Sequence, residues 1–322
     1  AQAGDDTRYP MPRPKPGENP YDMSFSGLKT AALNTIHHAQ QVGEEIDIPG
    51  LCASFCAAVS DTLVPRVVMA LKETGHKHLA VAGGVAANSR IRRDILTAAE
   101  KMGVDTVITF SGCPGDHEGA KYPNWVTCPW PDDYLKILDW QWNEVLIPYW
   151  KKEAEFCKAH GIKKIAFEMH PGFCVYNPET ALRLREAVGD IIGANVDPSH
   201  LYWQQMNPVE VIKELGRAGA IYHFHAKDTK IDDRNTSVNG VLDNKPYADV
   251  ANRSWVFRTV GYGHGKEEWN DIISTLRNVG YDGTISIEHE DSLMSPKEGL
   301  EKAVRFLQDV IIKETPGAMW WV

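Results

Sequence analysis

Four short stretches, AFEMHP (166–171), NVDPSH (195–200), HFHAKD (223–228) and SIEHED (286–291), decide how this chain folds. In each, a brief apolar run of β-strand character stops on an acid or a histidine: Glu168, Asp197, His225 and Glu288. Four such runs with helical segments between them are how a parallel α/β barrel assembles a site on one rim, at the carboxyl ends of its strands. Three carboxylates and an imidazole gathered in a partly buried cleft carry a large desolvation cost unless something neutralises them. A divalent cation with oxygen and nitrogen ligands is the economical partner, so the pattern points to a metalloenzyme. Any one of the four alone would read as a rim residue paired with a neighbouring strand. Four at the same end of four strands favour the metal.

Outward from these strand ends, strand and helix alternate strictly from Val104 onward. Strands are predicted at 105–110, 163–168, 192–197, 220–226 and 283–288, and helices near 131–160, 179–189, 208–217, 267–279 and 296–313. Such alternation argues for a parallel sheet with helices outside it. Five strands fall short of the eight that close a barrel. Residues 228–265 break the rhythm: the segment is long, polar and rich in Asp, Asn and Gly, and reads as a lid or binding loop over the rim.

The first third is different. Residues 1–20 carry five prolines, at 10, 12, 14, 16 and 20, and read as an extended, mobile arm. Apolar residues then recur at three and four from Leu28 to about Gln40 and from Leu51 to about Glu73, the mark of two amphipathic helices. A strand at His78 to Ala82 ends in a turn holding Gly83, Gly84 and Asn88, followed by a helix to about Met102. Free amides at that helix start are able to hold an anion, although glycines at such turns more often serve geometry.

Charge separates the same two parts. Residues 1–104 hold 11 basic and 11 acidic residues, so the net charge of −9 falls entirely on the remainder, as do all ten tryptophans, the first being Trp125. An acidic, tryptophan-rich body gives no electrostatic support for a phosphate backbone and disfavours nucleic acid as a partner. A sugar or polyol suits it better. The length of 322 residues and a hydrophobic content of 43% allow a full core. No apolar stretch is expected to span a bilayer and no leader pattern opens the chain, so a cytoplasmic location is expected. The six cysteines lack paired zinc spacing, and Cys52 with Cys56 at helical spacing reads as core packing.

The motifs also carry two resemblances. VITFSGCPGD (107–116), YPNWVTCPWP (122–131), KKIAFEMHPGF (163–173), GANVDPSHLYW (193–203), YHFHAKDT (222–229), NRSWVFRTVGYGHG (252–265) and GTISIEHEDSLM (283–294) resemble the sugar phosphate isomerase/epimerase family, the xylose-isomerase-like TIM barrels. They follow the family's order from its fourth strand to its eighth; the first three strands have no counterpart, so the barrel is read as incomplete. The resemblance implies a divalent metal (Mn, Mg, Co or Zn) held by Glu168, Asp197, His225 and Glu288. YDMSFSGLKTA (21–31) and LAVAGGVAANSRIR (79–92) are similar instead to tRNA threonylcarbamoyladenosine transferase, an actin-like ATP-binding fold. That second resemblance nominates Gly83, Gly84 and Asn88 for nucleotide binding, but the family's paired metal histidines are missing. The expected organisation is thus a proline-rich arm (1–20), an actin-like-fold-derived α/β segment (21–104) and a xylose-isomerase-like domain (105–322). EKMGVDTVITF (100–110) joins them, with Gly103 ending a helix and Val104 opening a strand.

The ligand set suggests the chemistry. A divalent cation chelating two adjacent oxygens of an open-chain sugar eases deprotonation of the carbon between them. Glu168 and Glu288, on opposite sides of that carbon, are the expected general base and acid. The expected function is therefore aldose–ketose isomerisation or ketose epimerisation of a sugar or sugar phosphate. His200, Lys227 and Arg258 are candidates to hold the substrate, with capping for His200 and pairing of Lys227 with Asp228 as the plainer readings. His170 and His289 are candidates to orient the glutamates, His223 should face away from His225, and His264 lies in a glycine-rich turn. A homo-oligomer is compatible with the sequence. Two alternatives stay open: an ATP-binding or threonylcarbamoyl-transferase-related fragment, and an inactive fusion keeping only the metal site.

Overall fold

Helices in the first third begin and end where the sequence places its punctuation. The computed structural model describes residues 4–14, 19–75, 79–80, 88–101 and 103–319, with helices at Ser26–Val42, Ile48–Thr74 and Ser89–Lys101. Gly43 and Gly75, at φ 72° and 69°, end the first two in the left-handed conformation that glycine adopts without a Cβ penalty. Asp47 opens the second, its Oδ1 accepting from the Gly50 amide at 3.0 Å.

The chain divides into two compact units, 1–109 with 152–164 and 110–151 with 165–322. In the first, Met11, Leu28, Leu51 and Ala58 form one buried cluster and Leu71, Ala99 and Val104 another. The arm is tied down at residues 9–13: Met11 is buried, the Tyr9 hydroxyl accepts from the Asp47 amide at 3.0 Å, and Arg13 pairs with Asp61. Strand β1 (Leu79–Ala80) lies parallel to β2 (Thr106–Thr109). At the junction, Gly103 takes φ 67° and the Val104 amide returns to the Ala99 carbonyl at 2.9 Å, closing the helix before β2 begins.

One expectation needs correction. Ile48–Thr74 is long and apolar enough, by length and composition, to cross a membrane, with a mean hydropathy of 1.4 over its best window. The run is easily overlooked because Asp61, Pro65 and Arg66 interrupt it. In this fold it behaves as a core helix that packs on Ser89–Lys101 and buries Leu51, Ala53, Ala57, Ala58 and Leu71.

The second unit follows the alternating pattern. Strand β3 (Lys164–Glu168), β4 (Ile192–Val196) and β5 (Ile221–Ala226) are followed by β6 (Asp228–Ile231), β7 (Trp255–Arg258) and β8 (Ile285–Ile287). β3, β4, β5 and β8 pair in parallel in that order. The central residues of β3 and β4 are buried on both faces, which is why these two show nearly continuous apolar runs rather than alternation, whereas β8 is only partly buried. All five predicted strands form with ends within two residues of expectation. Among the described residues there are six parallel strands, two in the first unit and four in the second, fewer than a closed barrel holds. The segment read as an irregular lid is more ordered than expected: β6 and β7 form an antiparallel ribbon with a helix at Asp233–Asn239 between them. Four-residue strands leave too little periodicity to be seen in advance.

Candidate metal centre

Each of the four nominated residues reaches the rim for a reason local to its strand. Ile165, Ala166 and Phe167 are at most 1% exposed and anchor β3, leaving Glu168 at its carboxyl end. Asp197 follows β4 and caps the helix Pro198–Trp203, its Oδ1 accepting from the Ser199 amide at 2.8 Å. His225 is the penultimate residue of β5, and Glu288 follows β8 with its amide bonded to the Ala226 carbonyl. Ligand atoms of the four all lie within 4.8 Å of one another. Glu168, Asp197 and His225 are buried and Glu288 is partly open.

The contacts within the cluster are close. His225 Nδ1 lies 2.9 Å from Glu168 Oε2 and 3.2 Å from Glu288 Oε2. His200 Nε2 sits 3.2 Å from Glu168 Oε1 and 3.5 Å from Asp197 Oδ2, without hydrogen-bond alignment. Lys227 Nζ is 3.3 Å from Glu288 Oε1 and also pairs with Glu290. Asn195, wholly buried, donates from Nδ2 to Glu168 Oε2 at 3.0 Å.

Protonation follows from burial first and neighbours second. Burial pushes the Asp197 carboxyl up to about 7, against the pull of Lys227. Burial also opposes charge on His225, yet the Glu168 and Glu288 carboxylates raise it to about 10. For Glu168, burial works upward but His200 and His225 hold it well below the usual carboxylate range. Glu288 is likewise lowered, against burial, by His225 and Lys227. Burial keeps His200 neutral, down to about 3.

The donor set fits a divalent cation. Asp197 Oδ2, Glu288 Oε2 and both ring nitrogens of His200 are buried without a hydrogen-bond partner, although buried polar atoms are otherwise nearly always satisfied. Two of these are oxygens of the nominated ligands, and three carboxylates with one imidazole are a set suited to magnesium, manganese, cobalt or zinc. Asn195 and Lys227 hold the two glutamates from behind, the kind of support that fixes ligand orientation.

The remaining nominated residues distribute unevenly. His200 is inside the cluster and Lys227 is at its edge, paired with Glu288 and Glu290 rather than with Asp228, because neighbouring strand residues face opposite ways. Arg258 is engaged with Asp291 at 3.1 Å. His170 packs against His200 with ring centroids 4.1 Å apart and planes tilted by 55°, whereas His289 meets the Met294 carbonyl at 3.4 Å. His223 bonds Ser286 at 2.7 Å, and its ring meets that of His225 edge-on with centroids 5.3 Å apart. Gly83 and Gly84 lie outside the described residues. Asn88 caps the helix Ser89–Lys101, its Oδ1 accepting from the Arg90 and Ile91 amides.

Sequence reasoning missed three features. Asn195 stands two residues before Asp197, on the same strand face by alternation, and an Asn inside an otherwise apolar strand is the signal that would have found it. Asp228 anchors the turn after β7: its carboxylate accepts from the Gly261, Gly263, His264 and Thr229 amides and from His264 Nδ1. Gly263 is required there, since a Cβ would fall 2.3 Å from the Thr229 carbonyl oxygen. A cavity of about 280 Å³ beside the cluster is lined by His170, Tyr247, Val256, Phe257, Glu290 and Ser292. Tyr247 lies in no quoted motif, and Ser292, within GTISIEHEDSLM, was not singled out.

A parallel α/β sheet with acidic and histidine ligands at its strand ends defines a class of barrel-type proteins. The chain belongs to the xylose isomerase-like TIM barrel family, whose model matches residues 64–310. A model for tRNA N6-adenosine threonylcarbamoyltransferase matches residues 1–112. An uncharacterized protein of Bacillus subtilis (strain 168), YfiH, is 43% identical over 212 residues, covering 65% of this chain and 67% of that protein. The threonylcarbamoyltransferase of Moorella thermoacetica is 43% identical over 104 residues, 32% of this chain, and the match spans only 30% of the enzyme's length. Among solved structures, 3-keto-D-glucoside 4-epimerase YcjR from E. coli is similar at TM-score 0.49 and 14% identity, covering 86% of this chain and 94% of that one. A xylose isomerase-like TIM barrel protein from Mycobacterium smegmatis in complex with magnesium is similar at TM-score 0.48 and 15% identity, covering 96% and 99%.

Proposed function

We propose that this chain is a divalent-metal-dependent isomerase or epimerase of small sugars. The observation that carries the reading is the rim cluster, four candidate ligand residues whose donor atoms lie close together with two of their buried oxygens lacking a hydrogen bond. Glu168, Asp197, His225 and Glu288 would hold the cation, which when bound supplies Lewis-acid polarisation of the sugar carbonyl. Glu168 and Glu288 then take the proton-transfer roles, one removing the proton beside the carbonyl and the other returning it. Asn195 fixes Glu168, and Lys227 fixes Glu288 and keeps it ionised. His200, neutral and adjacent to both Glu168 and Asp197, is placed to meet a sugar oxygen. A cytoplasmic location belongs to the same proposal.

The test is proton NMR of ketoses in deuterated water with the manganese-free, magnesium-loaded protein. Deuterium should enter at the carbon beside the carbonyl, and Glu168→Gln or Glu288→Gln should slow this by about 10² to 10⁴. Magnesium binding without exchange on any ketose would sink the isomerase reading and leave a metal-binding protein. A second reading, a nucleotide-binding segment related to the threonylcarbamoyltransferases, rests on the match over residues 1–112. Absence of ATP binding by calorimetry would remove it.

A further inference from the structure

The cavity beside the rim differs in its charge from what a phosphorylated sugar needs. Phosphate esters are recognised by arginine, lysine or clustered amides. The lining here offers an acid, Glu290, a hydroxyl, Ser292, two aromatic rings, Tyr247 and Phe257, and His170, with neither lysine nor arginine among the described residues. The nearby cations are already engaged. Lys227 is 1% exposed, lies 4.1 Å over the Phe257 ring and is held between Glu288 and Glu290. Arg258 is bound to Asp291, and Arg253 is buried beneath the Tyr247 ring with its guanidinium on the Lys245 and Trp255 carbonyls.

Glu290 itself is half open, so its carboxylate faces the cavity on one side while pairing with buried Lys227 on the other. The two rings stack at 5.8 Å between centroids with a 22° tilt, a flat apolar wall. A wall of this kind packs against the carbon–hydrogen face of a sugar, and Glu290 and Ser292 are suited to its hydroxyls.

We propose that Glu290 is a specificity-determining residue that makes this site select uncharged ketoses and reject their phosphate esters. An anionic substrate meets a like charge at Glu290, and repulsion of the wrong ligand is an effective means of discrimination. Glu290 contacts none of the four ligands directly and reaches Glu288 only through Lys227, which the two carboxylates share, so its effect on substrate choice is read as the ratio of ester to parent binding and not as absolute affinity. The inference rests on the sugar-isomerase reading of the rim.

The experiment is calorimetric binding of D-fructose, D-ribulose and D-xylulose, each against its own phosphate ester, to magnesium-loaded wild type, Glu290→Gln and Glu301→Gln. Glu301 is an exposed helix residue paired with Arg305 and serves as the control. The wild type should bind at least one parent ketose about tenfold or more tightly than its ester. Glu290→Gln should tighten the ester and narrow that ratio to about threefold or less, and Glu301→Gln should leave it unchanged. A phosphate ester bound more tightly than its parent by the wild type, an unchanged ratio in Glu290→Gln, or no binding of any parent ketose would each overturn the proposal. Deuterium exchange on esters in preference to parents would overturn it while leaving the isomerase reading intact. Loss of exchange on every sugar despite intact binding ratios would do the reverse.

Discussion

Asp197 and Asp228 are two buried aspartates at the carboxyl ends of neighbouring strands, and the fold treats them in opposite ways. Asp228 is surrounded by donors: four backbone amides, the His264 ring and, at 3.5 Å, the Trp269 indole. Asp197 receives one amide on Oδ1 and nothing on Oδ2. Both are at most 1% exposed, so burial alone does not separate them. A carboxylate wrapped in amides is finished as a structural anchor. One with an unbonded oxygen beside two other acids and an imidazole is suited to a cation.

The sharpest way to break this comparison is to neutralise each aspartate in turn. Asp197→Asn should abolish the thermal stabilisation produced by magnesium or manganese, a loss of about 10³-fold or more in affinity, while the metal-free protein keeps or gains stability because a costly buried carboxyl is gone. Asp228→Ala should do the reverse: about 3–5 kcal/mol of stability is lost, since several buried donors lose their acceptor together. The remaining folded protein should still respond to metal. Melting curves with and without metal check both, and equal responses from the two variants would refute the distinction.

How much of this was legible beforehand follows from the scale of each signal. Strand and helix order was legible because β3 and β4 are mainly apolar runs bounded by glycine and proline, and the four candidate ligands could be nominated because each stands at or near the end of a strand. The β6–β7 ribbon was not, since Asp228–Ile231 and Trp255–Arg258 lie 24 residues apart and neither is long enough to show a period. For Lys227 the sequence left substrate binding and pairing with Asp228 about equally open because the two adjoin; in the fold Lys227 meets Glu288 and Glu290, and Asp228 holds the turn after β7. Asn195 was hidden by being a single polar residue whose partner, Glu168, is 27 positions away.

Protons sharpen the contrast further. With Asp197 raised to about 7 and His225 to about 10, a cation must displace protons to bind. Affinity should climb about tenfold per pH unit between 7 and 10, where one proton is displaced, and more steeply below 7. The sign for the metal-free protein is opposite. His225 holds its proton more tightly folded than unfolded, so that contribution is complete below about pH 6.5 and is lost as pH rises through 10. Metal titrations and metal-free melts over pH 6 to 10 should therefore move in opposite directions, and parallel curves would exclude a cation at His225.

Asn195→Ala tests the support rather than the ligands. Its amide is the donor behind Glu168 Oε2, and removing it should lower metal affinity by about 10- to 100-fold while leaving the ligand count intact. Isothermal titration with manganese reads this directly, and an unchanged affinity would make Asn195 a packing residue only.

The smallest effect is expected in the first unit, where Asn88 is a polar residue whose side chain is already occupied. Its Oδ1 serves the Arg90 and Ile91 amides and its Nδ2 lies 3.2 Å from Cys56 Sγ, so its local role is that of a helix cap. Asn88→Ala should cost about 1 kcal/mol, the usual value of such a cap, and leave metal affinity and sugar exchange at wild-type levels. If ATP binds this chain and Asn88→Ala weakens it by more than the lost stability explains, Asn88 has a ligand role beyond the cap, and the first unit would then resemble Asp197 more than Asp228.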